Sequence, residues 1–240
     1  MFWRKQKAAL AGFPLPHQAL VWERQFSATQ PLAAWIELTG SLQRHNGLVR
    51  RAKWALPPRT LDVLVPLLLE VCSDLAPKGM LTVTADLRGR DAPDKSRPPR
   101  DLRVFPPIQS ATQRLTVDPW LHLRGELRDG STMEILVVDR HRVRSVTKRS
   151  RSGKLKTKRK HKLVQSIKVR RRLPRGVDGT RPAAPPPPWI RASVRDGNRR
   201  SVRAWAKLDR LPQDGTEQVD LILRVATEPF RWTPPAGENS

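Results

Sequence analysis

Apolar and polar residues alternate along most of this chain, and Asn-Gly and Asp-Gly pairs cut the alternation into segments. Asn46-Gly47, Asp129-Gly130, Asp196-Gly197 and Asp214-Gly215 each lie between such runs. Asn and Asp tolerate a left-handed backbone and Gly has no Cβ to clash, so these pairs suit tight hairpin turns. The pattern predicts strands near 33–43, 48–55, 80–88, 101–105, 114–128, 131–148, 154–173, 189–195, 199–208 and 217–227. One helix is expected from about Thr60 to Ala76, with Leu61, Val65, Leu68, Leu69, Cys72 and Leu75 on one face. Pro66 interrupts it, because a mid-helix proline removes a hydrogen bond and costs roughly 3 kcal/mol. The helix is therefore kinked there or begins nearer Pro66, and Pro77, Lys78 and Gly79 end it.

A tryptophan precedes each turn pair: Trp35, Trp120, Trp189 and Trp205. The segments WIELTGSLQ (from Trp35) and WLHLRGELR (from Trp120) match at Trp, Leu, Gly and Leu. A duplicated hairpin unit and convergence of two amphipathic strands both explain this, and convergence is favoured because aromatic residues suit strands generally. At strand starts these tryptophans are expected in the core, with base stacking as the alternative. Trp3 and Trp232 lie near the ends and are less constrained.

The most informative alternation begins at Lys154. One set of alternate residues reads Lys154, Lys156, Lys158, Lys160, Lys162, Val164, Ser166, Lys168, Arg170, Arg172. The other reads Leu155, Thr157, Arg159, His161, Leu163, Gln165, Ile167, Val169, Arg171, Leu173. In a strand these sets take opposite faces, and the second is apolar from Leu163 to Val169. The expected partner is Met133 to Lys148, apolar at its start and basic at its end, with the turn at Ser150–Gly153. This predicts a β-hairpin with an apolar base, Ile135–Val138 against Ile167–Val169, and a basic tip.

Charge sharpens that reading. From Arg140 to Arg181, eighteen of 42 residues are Lys or Arg and only Asp178 is acidic, which places +17 of the chain's +24 in one stretch. Charge so localised is a device for binding polyanions. A GC-rich genome accounts for Arg elsewhere but not for the Lys-rich run Lys154–Lys162. Side chains two apart on a strand stand roughly 6.6 Å apart, so a lysine ladder can follow a phosphate backbone and bind by displacing counterions. The residues expected to contact phosphate are Lys148, Arg149, Arg151, Lys154, Lys156, Lys158, Arg159, Lys160 and Lys162, extended by Arg170, Arg171 and Arg172.

Other chemistry is thin. Cys72 is alone, so neither an intrachain disulfide nor a cysteine zinc cluster can form. The histidines at 17, 45, 122, 141 and 161 form no metal-ligand spacing, and His141 and His161 are expected to face each other across the hairpin. Asp86, Asp91, Asp94 and Asp101 form a loose acidic cluster better explained by charge balance than by a nuclease metal site. GxSxG, GxxxxGK and GxGxxG are absent. No catalytic residue, cofactor or metal is assigned. The N-terminal apolar stretch is broken by Pro14 and Pro16, unlike a signal peptide.

The fold class expected is α+β, mostly antiparallel β in sandwich- or barrel-like hairpins, with one helix and a protruding basic β-hairpin. The expected organisation is an N-terminal α/β region (1–90), a Pro- and charge-rich linker (91–113) and hairpins (114–180) bearing the basic arm (140–175). A Pro-rich spacer (181–188), C-terminal hairpins (189–230) and a flexible tail (231–240) follow. The expected function is non-enzymatic binding of nucleic acid, DNA or RNA, with little sequence specificity. The alternative is a structural subunit of a large assembly, docking the arm on an acidic protein or, less favoured, an anionic membrane. A cytoplasmic setting is expected, with nucleoid or ribosome association open.

Overall fold

The computed structural model describes residues 2–150, 152–197, 199–212 and 214–233. Its strands are β1 (Gln25–Pro31), β2 (Met80–Asp86), β3 (Arg100–Asp101), β4 (Ile108–Glu126), β5 (Thr132–Arg149), β6 (Leu155–Arg172), β7 (Ile190–Arg195) and β8 (Ser201–Leu208). They form one antiparallel sheet of order β1-β2-β4-β5-β6-β8-β7, with β3 paired to β4. The sheet is open, with β1 and β7 as edges, so neither the sandwich nor the barrel expectation holds. The helices are α1 (Phe2–Ala11), α2 (Leu15–Trp22), α3 (Leu32–Leu48), α4 (Val65–Ser73) and α5 (Gly215–Thr227). Among the described residues there are thus five α-helices where one was expected, and none is long and apolar enough to cross a membrane.

The helices explain why the sheet needs no second sheet. Strand positions spaced by two, Leu81 and Val83, Leu121 and Leu123, Ile135 and Val137, Ile167 and Val169, Ala204 and Ala206, point to one face. They pack there against Trp35, Leu38, Leu42, Leu67, Leu68, Val219 and Ile222 from the helices. Each large apolar side chain so buried contributes about 1.5–3 kcal/mol, and the opposite face is left without a helical cover.

Two predicted strands are helices. The 33–43 segment belongs to α3, where Trp35, Leu38, Leu42 and His45 are all buried at a helical spacing. Asn46-Gly47 therefore lies inside a helix, and the WIELTGSLQ/WLHLRGELR similarity joins a helix to a strand, which removes a duplicated hairpin. The 217–227 segment is α5, capped by the Asp214 carboxylate accepting from the Thr216 N–H at 3.1 Å. Asp214-Gly215 is thus a helix start and not a hairpin turn. The 48–55 segment is irregular, with a short 3-10 turn at Ala52–Trp54. The expected Thr60 helix exists, and its proline is accommodated by a widened π turn, Thr60–Leu64. Pro66 then sits in the first turn of α4, where its missing N–H is not required.

Asp129-Gly130 and Asp196-Gly197 do connect antiparallel neighbours, β4 to β5 and β7 to β8. Gly130 takes φ +74°, a conformation open to glycine. The β5–β6 connection closes with the Ser150 N–H donating to the Lys154 carbonyl at 2.8 Å and Gly153 at φ +77°. β4 pairs with β5 from Ile108 to Glu126, so three strands, not two, continue beyond the wide part of the sheet. In that extension Ile108–Val117, Arg140–Arg149 and Leu155–Val164 pair with one another, with β3 added at the β4 edge. At about 3.4 Å per residue, it runs for roughly 30 Å.

The segment 90–100 is held down. Arg97 N–H donates to the Leu115 carbonyl at 2.9 Å, Ser96 bridges Thr116, and Lys95 is buried.

Candidate nucleic-acid interface

Residues paired across an antiparallel ladder share a face, so the register defines what the uncovered face carries. From β4 to β7 one row reads Arg124, Glu134, Arg170, Arg203, Ser193. The next reads His122, Leu136, Lys168, Trp205, Arg191. In the three-stranded extension the same face carries Arg140 opposite Val164, Arg142 opposite Lys162, Arg144 opposite Lys160, and Lys148 opposite Lys156. Cations directly opposite one another destabilise a ladder, and here they recur along its length. Glu134 accepts from His122 at 2.9 Å, and Glu126 ends β4 on the same face.

The sequence-predicted residues divide by face. Lys148, Lys156, Lys158, Lys160, Lys162, Arg170 and Arg172 lie on the uncovered face, and Lys154 is exposed in the adjoining turn. Arg149 and Arg159 are exposed on the other face. Arg151 lies outside the described residues. Arg171 does not join the set: it is 5% exposed and faces the core side. Its guanidinium is engaged by Asp129, Ser131 and Thr233 and lies 4.2 Å from the centre of the Phe230 ring. Burial would raise the Asp129 carboxyl, but hydrogen bonds from the Ser131 hydroxyl and N–H, and then Arg171, outweigh it and hold that carboxyl below its ordinary range.

Trp35 and Trp120 are fully buried as expected, and the less constrained Trp232 is buried with 8% exposure. Trp205 is not a core residue. Val202, Ala204 and Ala206 turn the other way into the core, so period two places Trp205 on the uncovered face, opposite Lys168 and Arg191. Sequence reasoning missed the cations beside it: Arg191, Arg195, Arg203 and Lys207, and Arg140, Arg142 and Arg144 on β5. The signal was present in the alternation of SVRAWAKL, but its meaning depended on β8 pairing with β6.

On the covered face, a second polar cluster sits where the extension begins. Pro119 cannot donate to the ladder, and β4 bulges between Asp118 and Leu121. Asp118 faces Asp139 across the strands. Lys95 Nζ lies 2.7 Å from Asp118 Oδ1 and 2.9 Å from Asp86 Oδ1. Arg59 donates to Asp139 Oδ2 at 2.6 Å, stacks over Trp120, and Gln165 donates to Asp139 Oδ1 at 2.8 Å. Burial pushes the Asp118 carboxyl up, against the pull of Lys95. Burial acts likewise on Asp86, but hydrogen bonds from Arg88 and Lys95 outweigh it and hold its pKa at about 2. The cluster is a neutralised ion network fixing the root of the extension. The acidic residues of the predicted loose cluster do not converge: Asp86 and Asp94 share Arg88, whereas Asp91 meets Arg90. Among the described residues no group of three or more His, Cys, Asp or Glu is placed to hold a metal ion.

His141 and His161 stack with ring centres 5.6 Å apart. Burial, then Arg90 and His161, lowers the His141 pKa, with Asp91 opposing. Compared with family models, curated proteins and solved structures, the chain matches none of them.

Proposed function

We propose that this protein binds nucleic acid without strong sequence preference and without catalysing a reaction on it. The three-stranded extension acts as a basic arm, and the uncovered face of the wide sheet continues its track. The carrying observation is the register of β6, which lines Lys156, Lys158, Lys160, Lys162, Lys168, Arg170 and Arg172 along one uncovered face. β5 adds Arg140, Arg142, Arg144 and Lys148 beside them on the same face. Flexible lysines at the far end suit a phosphate backbone of any sequence. Trp205 among cations supplies a stacking surface that accepts any base.

The test is fluorescence anisotropy with labelled single-stranded and duplex oligonucleotides at several salt concentrations. The expected result is tight binding with a steep fall of log affinity against log salt, independent of base sequence. Absence of binding, or a flat salt dependence, overturns the proposal. Capture by an acidic protein in place of any oligonucleotide is the outcome that the assembly-subunit reading requires.

A further inference from the structure

The basic track along β6 ends in a built site. At Arg172 the strand stops, and the β7–β8 turn stands beside it. Arg170, Arg172 and Arg203 share a depression of about 460 Å³ with Arg175, Arg195 and Arg199. An adjoining depression of about 430 Å³ has Trp205 and Leu136 among its lining and shares Arg170, Arg195 and Arg203 with the first. Asp196 also lines the first, but its carboxylate is paired with Arg200 at 3.2 Å. Among the described residues, none of these six arginines makes an ion pair with a carboxylate. The Nε atoms of Arg170 and Arg203 are buried without a hydrogen-bond acceptor. Burial, Arg172 and Arg203 together weaken the hold of Arg170 on its proton, with Glu134 opposing.

This differs from the lysines of the arm. Lysines are mobile point charges, whereas arginines present planar forks that grip a phosphate through paired N–H donors. An internal phosphodiester carries one negative charge and offers two free oxygens. A terminal phosphomonoester carries about −1.5 to −2 near neutral pH and offers three acceptor oxygens. We propose that the Arg170–Arg195–Arg203 site binds the terminal phosphate of a nucleic-acid end, with the terminal base against Trp205. The inference rests on the nucleic-acid reading above and adds to it a preference for phosphorylated ends.

The experiment compares one short single strand in three forms: 5′-phosphorylated, 3′-phosphorylated, and hydroxyl at both ends. The corresponding free nucleoside monophosphate serves as competitor. One phosphorylated form is expected to bind at least about tenfold more tightly than the unphosphorylated one. That ratio falls toward one in Arg195→Gln/Arg203→Gln protein, and in the native protein as pH drops below about 6, where the monoester loses its second charge. Efficient competition by the free nucleotide at equal concentration assigns the site to nucleotides and overturns the end-binding proposal. If all three forms bind native protein equally, the end site is wrong while the interface stands. If no form binds at all, both readings fall.

Discussion

Replacing Lys156, Lys158, Lys160 and Lys162 together with glutamine removes four charges from one face of β6. All four side chains are exposed, and their spacing of roughly 6.6 Å per step makes the ladder about 20 Å long. If each lysine neutralises one phosphate, the slope of log affinity against log salt becomes shallower by about 3.6 on duplex or about 2.8 on single strands. Over a fourfold rise in salt, that share corresponds to a factor of about 150 or about 50 in affinity. Stability should not fall with it. The packing lost is small, and the Lys162–Asp209 pair at 3.0 Å is a surface contact worth about 0–1 kcal/mol. Removing the opposition of Lys160 to Arg144, and of Lys156 to Lys148, relieves repulsion, so the melting temperature is expected to hold or rise. Anisotropy at four or more salt concentrations measures the slope, and a thermal melt checks the fold. A slope within one unit of the native value in a folded variant refutes the ladder as the contact.

Two further predictions concern the fold that carries the candidate interface. His17 and His45 form a buried chain: Ser41 Oγ to His17 Nδ1 at 2.8 Å, His17 Nε2 to His45 Nδ1 at 2.9 Å, and His45 Nε2 to the Trp54 carbonyl at 3.0 Å. The carbonyl only accepts, so His45 donates through Nε2; burial favours neutral rings, and His45 Nδ1 then accepts from His17 Nε2. Burial, then His45, lowers the His17 pKa to about 3, and burial lowers that of His45. The unfolded chain therefore binds protons first, so stability is full above about pH 6.5 and falls with acidification at about 1.4 kcal/mol per pH unit from His17 alone. Denaturant unfolding from about pH 7.5 to 4.5 reads this above the range of ordinary carboxylates, and a flat profile there excludes the neutral pair. Gly215→Ala should destabilise, because a Cβ there would stand 2.5 Å from Asp62 Cβ and 2.7 Å from its carbonyl oxygen. Overpacking of that kind costs about 1–3 kcal/mol, whereas helix propensity alone predicts a gain of about 1 kcal/mol. The sign of the melting shift decides between them.

How much of this was legible in the sequence depends on the range of the cause. β6 was readable because its period of two is local and unbroken from Lys156 to Arg172, and the long β5 partner was readable for the same reason. α3 was misread although Trp35, Leu38, Leu42 and His45 carry a helical spacing. Gly40 and the Asn46-Gly47 pair look like strand punctuation, and only packing on the sheet overrides their poor helix propensity. α5 had a stronger local sign. Asp214 through Glu217 reads as a capped helix start, yet Asp-Gly was weighed as a turn. Arg171 and Trp205 exchanged roles relative to expectation for a non-local reason. The face of each is set by period two, but which face is covered is decided by helices distant in sequence. The ion network around Lys95 and the six-arginine depression were invisible for the same cause, since each joins segments far apart in sequence.

The charge on the uncovered face supports the proposed binding of a polyanion. A sheet with helices on one side must present hydrophilic side chains on the other. At the β1–β2 edge that requirement is met by hydroxyls: Ser27 bonds Thr84 at 2.8 Å and Thr29 bonds Thr82 at 2.9 Å. These cross-strand pairs solvate the face and stabilise the ladder at once. Across β5, β6 and β8 the same face, under the same solvation requirement, sets cation opposite cation at Arg142–Lys162, Arg144–Lys160, Lys148–Lys156 and Arg170–Arg203. Nothing in the fold requires this, and repulsion across the rungs works against it. Where this chain uses arginine structurally, as at Arg171, it surrounds it with a carboxylate, two hydroxyls and an aromatic ring. Among the described residues, the carboxylates beside the cations of the open face are few: Glu134 lies between Arg124 and Arg170, and Asp209 pairs with Lys162. An arrangement that opposes folding and is not needed for solvation is best explained by a polyanion that supplies the missing negative charge.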